Sequence, residues 1–403
     1  MRRLGVTQVR AAIGVLAAVS LIAAAGCGSS DDKSDSGGAA ATGASTTASS
    51  PGFDMAAVKA RVAGYEKGPT VYGGPTEKVP VAKNIELATI PCSGAIRGCV
   101  RPVEEAGKLA KELGWRVRSY DGKGTPKDNN NAVQQAVAGG ADVILTGGVD
   151  PSFISAGLQA AKAKGVLVAS MSQGVAPSPD GYKFDIGADY TLLGQQIGDF
   201  VVADSDGKAD YLPFNDKSYS STVAFVNASI DSVKACPTCK VEDTQFFVGT
   251  DIAKGLGPRL IDLLRTHPKV DYVMGSYDPA ATAMVPAIGN AGLKSKVKVV
   301  AGLGNQQNLE YVKANNVQVA DAGFDNTYMG YMAIYQVNRL LAKQPLWKVP
   351  GETREAYAYS GKVPIKLFTT TSPPATTTDY VATDTMDYPA KMRPLLGLSG
   401  SGN

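Results

Sequence analysis

The chain of 403 residues has a single histidine, His267, and only five cysteines, and its 40 Lys and Arg residues nearly balance its 37 Asp and Glu residues. Arg2, Arg3 and Arg10 account for the whole basic excess, so the sequence after residue 26 carries no net charge. A body without net charge has no overall field for holding nucleic acid or anionic lipid. We therefore expect no nucleic-acid partner.

A second long apolar run is also missing after the N-terminus, which excludes a polytopic membrane protein. The composition, with 44% hydrophobic and 19% charged residues, is typical of a folded body and not of a disordered or collagen-like chain. A chain of this length exceeds what one hydrophobic core usually serves, so we expect two or more lobes.

Residues 1–26 are typical of an export signal, in which basic residues precede an apolar run from Ala11 to Ala25. That run is too short to span a bilayer comfortably. Its end, from Leu21 to Cys27, resembles the bacterial lipoprotein box, although Ala24 stands where the box usually has Leu. The resemblance implies lipid on Cys27 and a position on the outer face of the bacterial cell membrane, the periplasmic side. An ordinary secretory peptide with a chance Cys is the alternative.

Residues 27–52 consist almost entirely of Gly, Ser, Ala, Thr and Asp, without a periodic apolar pattern. Such a stretch cannot bury enough apolar surface to offset chain entropy, so we predict a flexible linker between lipid and folded body. Residues 53–83 are interpreted as an N-terminal extension, and residues 396–403 as a disordered tail.

The four remaining cysteines form two close pairs, Cys92 with Cys99 and Cys236 with Cys239. Export to an oxidising compartment favours two local disulfides. A four-Cys zinc site would need the pairs to meet across a long stretch of chain. A redox-active Cys236-Pro237-Thr238-Cys239 motif normally opens a helix after a strand, whereas here it lies between a predicted helix and a predicted strand. We expect no metal and no cofactor.

From residue 85 onward, short apolar runs alternate with amphipathic stretches. The predicted strands of the first series are 85–90, 116–120, 143–146, 166–170 and 183–186. The order restarts near residue 192 and continues to about 342, followed by coil around one strand at 362–368. Strand–helix alternation is typical of a parallel sheet with helices on both faces. We therefore predict an α/β protein with two Rossmann-like lobes, each a doubly wound parallel sheet.

The order and spacing of these elements resemble the type I periplasmic binding proteins, specifically the sugar-type solute-binding subunits of ABC importers, over residues 85–344. The segments that carry the resemblance are 106–115, 132–146, 165–170 with Asp150, 186–189 with Gly194, 267–273 and 276–280. The resemblance implies two discontinuous lobes joined by three crossings, with the ligand cleft between them. Lobe one would hold 84–188 and 303–347, and lobe two 189–302 and 348–395.

The resemblance also implies a function. A monomeric, lipid-anchored receptor would close its lobes around a small polar ligand, a sugar or sugar-like molecule, and deliver it to an ABC transporter permease. Such a protein needs no catalytic residue, so we expect no enzymatic activity.

In this fold the carboxyl ends of the strands face the cleft, so binding residues follow strands. The candidate ligand contacts are Ser93, Arg97, Ser172, Gln173, Tyr219, Tyr277, Asp278, Asn305 and Phe324. Asp278 matches the family's strand-end Asp that accepts hydrogen bonds from ligand hydroxyls, and capping of the next helix is its alternative role. Ordinary packing, a turn or a solvated loop is the alternative for the others.

The sugar pocket departs from the family pattern. Ser172 and Gln173 stand where sugar binders have an Asp-Arg pair, which removes charge-assisted hydrogen bonds. The loop 91–99 lacks the aromatic pair that stacks on a sugar face, and Thr250 and Gly257 stand where an aromatic residue and an Asn are expected. Tyr219, Tyr277 and Phe324 would have to supply the aromatic surface that stacks on a sugar.

Three other functions compete with this interpretation. An enzyme on a Rossmann-like fold has weak support, because residues 302–307 lack the third glycine of the dinucleotide fingerprint and no Ser nucleophile elbow appears. A DNA-binding regulator would need an N-terminal helix-turn-helix where this chain has a signal and linker. A sensor that presents its ligand to a membrane receptor kinase remains as an alternative to import.

Overall fold

The computed structural model describes residues 52–399. The predicted signal, the lipidation site Cys27 and nearly all of the predicted linker lie outside this part of the chain. The strands are β1 (Glu86–Pro91), β2 (Arg116–Ser119), β3 (Val143–Gly147), β4 (Leu167–Met171), β5 (Asp185–Ile186), β6 (Asp210–Asp216), β7 (Lys240–Val241), β8 (Gln245–Phe247), β9 (Tyr272–Met274), β10 (Lys298–Leu303), β11 (Gln318–Phe324) and β12 (Ile365–Thr369).

Helices precede, connect and follow these strands. They are α1 (Met55–Lys67), α2 (Arg97–Glu112), α3 (Pro126–Ala138), α4 (Ser155–Lys164), α5 (Tyr190–Asp204), α6 (Ser220–Lys234), α7 (Asp251–Lys254), α8 (Leu256–Thr266), α9 (Asp278–Asn290), α10 (Gln306–Lys313), α11 (Asn326–Leu341), α12 (Thr383–Met386) and α13 (Tyr388–Met392).

Two sheets confirm the predicted α/β class. The first has five parallel strands in the order β2-β1-β3-β4-β5. The second runs β12-β11-β10-β9-β6-β7, with β8 also pairing β6, and β12 is its antiparallel strand. The strands β1, β3 and β6 are buried along nearly their whole length, as expected where helices cover both faces of a sheet.

The third crossing lies later in the chain than predicted. β11 pairs with β10 in parallel and with β12 in antiparallel register, so residues 318–324 belong to the second sheet and not to lobe one. The short helix α10 makes this a local strand–helix–strand connection within one sheet. The chain returns to the first lobe with α11, whose Gly330 lies directly against the α2 backbone at Ala106.

The C-terminal segment also differs from its predicted place in lobe two. Beyond β12 the chain runs back to the first lobe, where the Arg393 guanidinium donates to Glu112 at the end of α2 over 2.7 Å. The Tyr388 ring packs edge-on against Tyr331 of α11 with centroids 5.7 Å apart. Leu396 is buried, so the predicted disordered tail does not begin there. The apolar residues of this segment explain the difference, because they cover α11.

The N-terminal extension spans both lobes. α1 lies on the second lobe, where Arg61 of α1 makes two hydrogen bonds of 2.7 and 2.9 Å to the buried Asp199 carboxylate of α5. The following stretch lies on the first lobe, where the Asn338 side chain accepts from the Ala82 N–H and the Ala82 carbonyl accepts from Trp115.

Helices long and apolar enough to cross a membrane are absent from residues 52–399.

Candidate functional site

A small cavity of about 60 Å³ lies between the two sheets, at the carboxyl ends of their strands. The first lobe lines it with Ile96, Gly98 and Cys99 after β1, Gly148 after β3 and Ser172 after β4. The second lobe contributes the segments that follow β6 and β9, the last residues of β10 and β11, and the first turn of α5. The cavity therefore lies at the predicted cleft, and a molecule held there would contact both lobes.

Four of the nine predicted site residues line this cavity: Ser172, Tyr219, Tyr277 and Phe324. The rings of Tyr219 and Tyr277 meet edge-on with centroids 6.2 Å apart. The Tyr277 hydroxyl donates to the buried Asp216 carboxylate over 2.9 Å, and burial raises the pKa of this phenol. The two rings are thus held as one wall of the cleft.

Gln173 and Ser93 are buried, and neither lines the cavity. The amide of Gln173 donates to Asp150 over 3.2 Å, and its backbone N–H faces Asp185. Burial raises the pKa of Asp185 to about 6. The Ser93 hydroxyl accepts from the Ala95 N–H within its own loop. Direct contact of Gln173 or Ser93 with a ligand stays a prediction.

Asp278 also has a protein partner. It is fully buried, and its Oδ2 accepts from the Asn305 N–H over 2.7 Å, so it holds the loop after β10 and does not cap its own helix. Its other oxygen has no partner among the described residues. Burial, and next the adjoining Asp321 carboxyl, raises the pKa of Asp278 well above its ordinary value. Two carboxyls in contact cannot both ionise cheaply, so the pair favours a shared proton.

Arg97 and Asn305 lie together, but at a different cavity. That cavity has a volume of about 550 Å³, is rich in polar groups, and includes Asp379 of the C-terminal segment. Arg97 pairs with Asp379 over 2.9 Å and with Glu104 over 3.1 Å. Its guanidinium is thus already matched by two carboxylates within the protein. We therefore assign no ligand to this cavity.

Several cleft residues escaped the sequence-based prediction. Tyr190, Leu193, Phe225, Ser276 and Leu303 line the cavity. Two of them carried a usable signal, because Tyr190 directly follows the crossing segment 186–189 and Ser276 precedes Tyr277 at the end of a strand. Phe225 lies in the second turn of α6, and nothing in its sequence context distinguishes it from a core residue.

The two lobes touch across the cleft. The Cys92 sulfur lies 3.5 Å from the Tyr219 hydroxyl, and a methyl group added at Gly98 would come within 2.9 Å of Leu303. The structure also confirms the predicted disulfides, with Cα–Cα distances of 5.6 Å for Cys92–Cys99 and 5.4 Å for Cys236–Cys239. Only the first of these lies at the cleft, where it ties the loop after β1 to the start of α2.

Known proteins of similar structure are solute-binding proteins. An ABC transporter solute-binding protein from Agrobacterium vitis, solved with bound allitol, has a TM-score of 0.61 at 18% identity and covers 72% of this chain and 96% of its own. A myo-inositol-binding protein from Caulobacter has a TM-score of 0.57 at 21% identity and covers 65% of this chain and 88% of its own. The arabinose-binding component from Shewanella sp. ANA-3 has a TM-score of 0.59 at 17% identity, covering 71% and 92%.

These likenesses establish the two-lobe fold. No curated protein sequence matches the chain. A family model described as periplasmic binding protein domain matches residues 88–345, which is more than half of the chain. The chain therefore belongs to the periplasmic binding proteins, as its resemblance to the type I members predicted.

Proposed function

We propose that this protein is an extracytoplasmic solute receptor that captures a small molecule by lobe closure and delivers it to an ABC transporter permease. The observation that carries the proposal is the cleft cavity. Its wall is shared between Gly98 and Cys99 of one lobe and Tyr219, Tyr277 and Leu303 of the other. A ligand that touches both walls only when they meet shifts an open–closed equilibrium by its differential affinity. No chemical transformation of the ligand is part of the proposal.

Allitol, myo-inositol and arabinofuranose are named with similar structures, so sugars and polyols form the first reference class for binding tests. Ser172, Tyr219, Tyr277 and Phe324 are the proposed contacts among the predicted residues. Lipid on Cys27 would keep the receptor, acting as a monomer, close to its permease.

Closure is tested with Gly98→Leu, because the added side chain would meet Leu303 where the lobes touch. We expect this variant to have a larger radius of gyration by X-ray scattering and to lose the compaction that ligand produces in the parent protein. Gly64→Leu is the control, since nothing lies within 4 Å of a methyl group added there on exposed α1. Ligand binding without compaction of the parent protein would refute closure, and equal compaction of all three proteins would show that Gly98 and Leu303 do not meet in the closed state.

The anchor is tested separately by expressing Cys27→Ser alongside the parent chain with labelled palmitate. We expect the label and the membrane association to disappear together in the variant. Persistent sedimentation of the variant with membranes would argue against the anchor while leaving the binding function intact.

A further inference from the structure

Resting on the proposed function, we propose that the cleft selects an uncharged ring compound, aromatic or alicyclic, with one or two hydroxyl or carbonyl groups, and that it discriminates against polyols. Three features of the cleft support this ligand class: the chemistry of the cavity wall, the protein partners of two nearby carboxylates, and two buried hydroxyls without a partner among the described residues.

The wall of the cavity is apolar. Five aromatic rings line it, all from the second lobe: Tyr190, Tyr219, Phe225, Tyr277 and Phe324. Tyr190 and Phe324 meet edge-on with centroids 5.8 Å apart, so the rings form a continuous surface. The first lobe faces them with Ile96, Gly98 and the disulfide-bonded Cys99. Among the side chains of residues 52–399 that line the cavity, none is charged and none is an amide.

Two carboxylates near the cleft, Asp216 and Asp185, are bound by protein groups. The side-chain oxygens of Gln173, Asp278 and Asn305 that lack a partner among residues 52–399 belong to residues that do not line the cavity. Asp216 accepts from the Tyr277 hydroxyl and the Ser218 N–H, and Asp185 accepts from the Gly174 N–H over 2.8 Å. The Gln173 amide donates to Asp150. A polyol buried here would leave most of its hydroxyls without partners, and each such loss weakens binding considerably. A charged ligand would lack a counter-charge.

Two buried polar atoms at the cavity have no hydrogen-bond partner among the described residues. They are the Tyr190 hydroxyl and the Ser276 hydroxyl; both residues line the cavity, and each hydroxyl is covered until the lobes part. Buried polar atoms are nearly always paired, so unpaired ones in a binding cleft point to a ligand group. A hydroxyl pairs equally well with a ligand hydroxyl or carbonyl. Of the other lining hydroxyls, those of Ser172, Thr222 and Tyr277 donate within the protein and that of Tyr219 lies against Cys92. That leaves Ser221 together with Tyr190 and Ser276, fewer groups than the five or six hydroxyls of a sugar.

The size of the cavity agrees with a compact ligand. Its volume of about 60 Å³ lies far below the roughly 300–1,000 Å³ of pockets that enclose drug-sized ligands. A single ring would require the lobes to part slightly, whereas a larger molecule would separate the walls that define the site.

Calorimetry and thermal shift with the purified full chain test the proposal directly. The neutral ring probes are phenol, cyclohexanol and cyclohexanone, the polyols are allitol, myo-inositol and arabinose, and benzoate is the charged ring. We expect at least one neutral ring probe to bind with a dissociation constant below about 1 mM and at least tenfold more tightly than benzoate or any polyol. A polyol that binds more tightly than all ring probes would overturn the inference.

Two variants remove the free hydroxyls. Tyr190→Phe and Ser276→Ala should each lower the affinity for phenol or cyclohexanol about three- to tenfold, the usual range for one hydrogen bond, without lowering the affinity for toluene. Tyr311→Phe removes a phenol hydroxyl outside the cleft and should change neither the affinity for phenol or cyclohexanol nor the affinity for toluene. Equal losses for phenol and toluene would indicate altered packing and would overturn the assigned role of the hydroxyls.

Scattering in the same titrations separates this inference from the proposed function. A polyol that binds and compacts the protein would refute the ligand class and support lobe closure. A ring probe that binds without compaction would support the ligand class and refute closure. If no probe from any panel bound, both proposals would fail.

Discussion

The Tyr219 hydroxyl lies 3.5 Å from the Sγ atom of Cys92, so the disulfide-bonded loop of one lobe touches an aromatic wall residue of the other. Cys92 is bonded to Cys99, which itself lines the cavity. The disulfide thus shapes the edge of the first lobe that meets the second lobe on closure. The other disulfide, Cys236–Cys239, joins the end of α6 to β7 away from the cleft.

This difference predicts separable effects for the two disulfides. Replacing Cys92 and Cys99 by Ala should lower the free energy of unfolding by about 2–3 kcal/mol, the entropy expected for a short closed loop, and should also weaken ligand binding. Replacing Cys236 and Cys239 should lower stability by about 2 kcal/mol and leave binding unchanged. Urea unfolding measures the stability of each double variant, and ligand titration measures its binding. Equal binding by the two double variants would contradict a role of the first disulfide in the cleft.

Asp379 connects the C-terminal segment to the first lobe. Its carboxylate lies 3.2 Å from Nε of Arg101, a buried residue of α2, and 2.9 Å from the half-exposed Arg97. Asp379→Asn would leave the buried Arg101 charge without this partner. We expect a loss of about 3 kcal/mol in denaturant unfolding, in the range for broken buried pairs.

Arg97→Gln provides the matched control for Asp379→Asn. It removes only the exposed member of this cluster and should cost less than about 1 kcal/mol. If both variants lost the same stability, the buried pair would not be the source of the effect.

Between β1 and β12 the sequence was sufficient for the order of strands and helices, because buried runs such as 143–147 and amphipathic stretches such as α2 leave clear periodic patterns. The helices α1, α12 and α13 were not predicted. Residues 318–324 and the C-terminal segment were predicted in the wrong lobe. A short apolar run shows that a strand is buried but not which sheet it joins, and residues 379–399 pack through apolar residues spread along an irregular segment.

The candidate site could be predicted from the sequence only in part, for a similar reason. Strand ends identified Ser172, Tyr219 and Tyr277, which line the cleft, but also Asp278, whose carboxylate turns toward the Asn305 backbone. Position after a strand locates a side chain at the cleft edge without fixing its direction. Phe225 was missed because the close packing of α5 on α6, and not its place in the sequence, brings it to the cavity.

That packing depends on Gly194 of α5. A methyl group added there would lie 2.1 Å from the Phe225 carbonyl oxygen and 2.8 Å from the Ala228 side chain, both in α6. Because backbone cannot give way as a flexible side chain can, Gly194→Ala should destabilise the protein by about 2–3 kcal/mol despite the better helix propensity of Ala.

Gly64→Ala in α1 is the matched control for Gly194→Ala. Nothing lies within 4 Å of its added methyl group, so it should stabilise by about 0.5–1 kcal/mol. Chemical denaturation of both variants checks the prediction, and effects of the same sign would show that helix packing does not decide the outcome.

The last prediction concerns Asp325, at the crossing between β11 and α11. Its carboxylate is fully buried and accepts from the Ala382 N–H over 2.7 Å, the Tyr328 N–H over 3.0 Å and the Tyr388 hydroxyl over 3.2 Å. Burial outweighs these hydrogen bonds and raises the pKa of Asp325 to about 6, from an ordinary value of 3.8. The folded protein therefore binds this proton more tightly than the unfolded chain does.

The sign of the pH effect follows from that difference. Between about pH 4 and pH 6 the folded state holds more protons at Asp325 than the unfolded state, so the free energy of unfolding falls as pH rises, by about 2–3 kcal/mol from this group. Below pH 4 and above pH 6 its contribution is constant. Asp325→Asn removes one titrating group and should make the decline over this window shallower, while Asp185, whose pKa is also raised to about 6, keeps its own share.

Urea unfolding at several pH values measures this contribution, with Asp384→Asn as the control because Asp384 is an exposed carboxyl of the same C-terminal segment. The amide of Asp325→Asn cannot accept all three hydrogen bonds, so that variant should also be less stable at pH 4, where the parent carboxyl is protonated in the folded state. The decisive quantity is therefore the slope between pH 4 and pH 6 and not the stability at one pH. An unchanged slope in Asp325→Asn, or a slope flattened equally in Asp384→Asn, would show that the buried carboxyl at the crossing does not control the pH dependence.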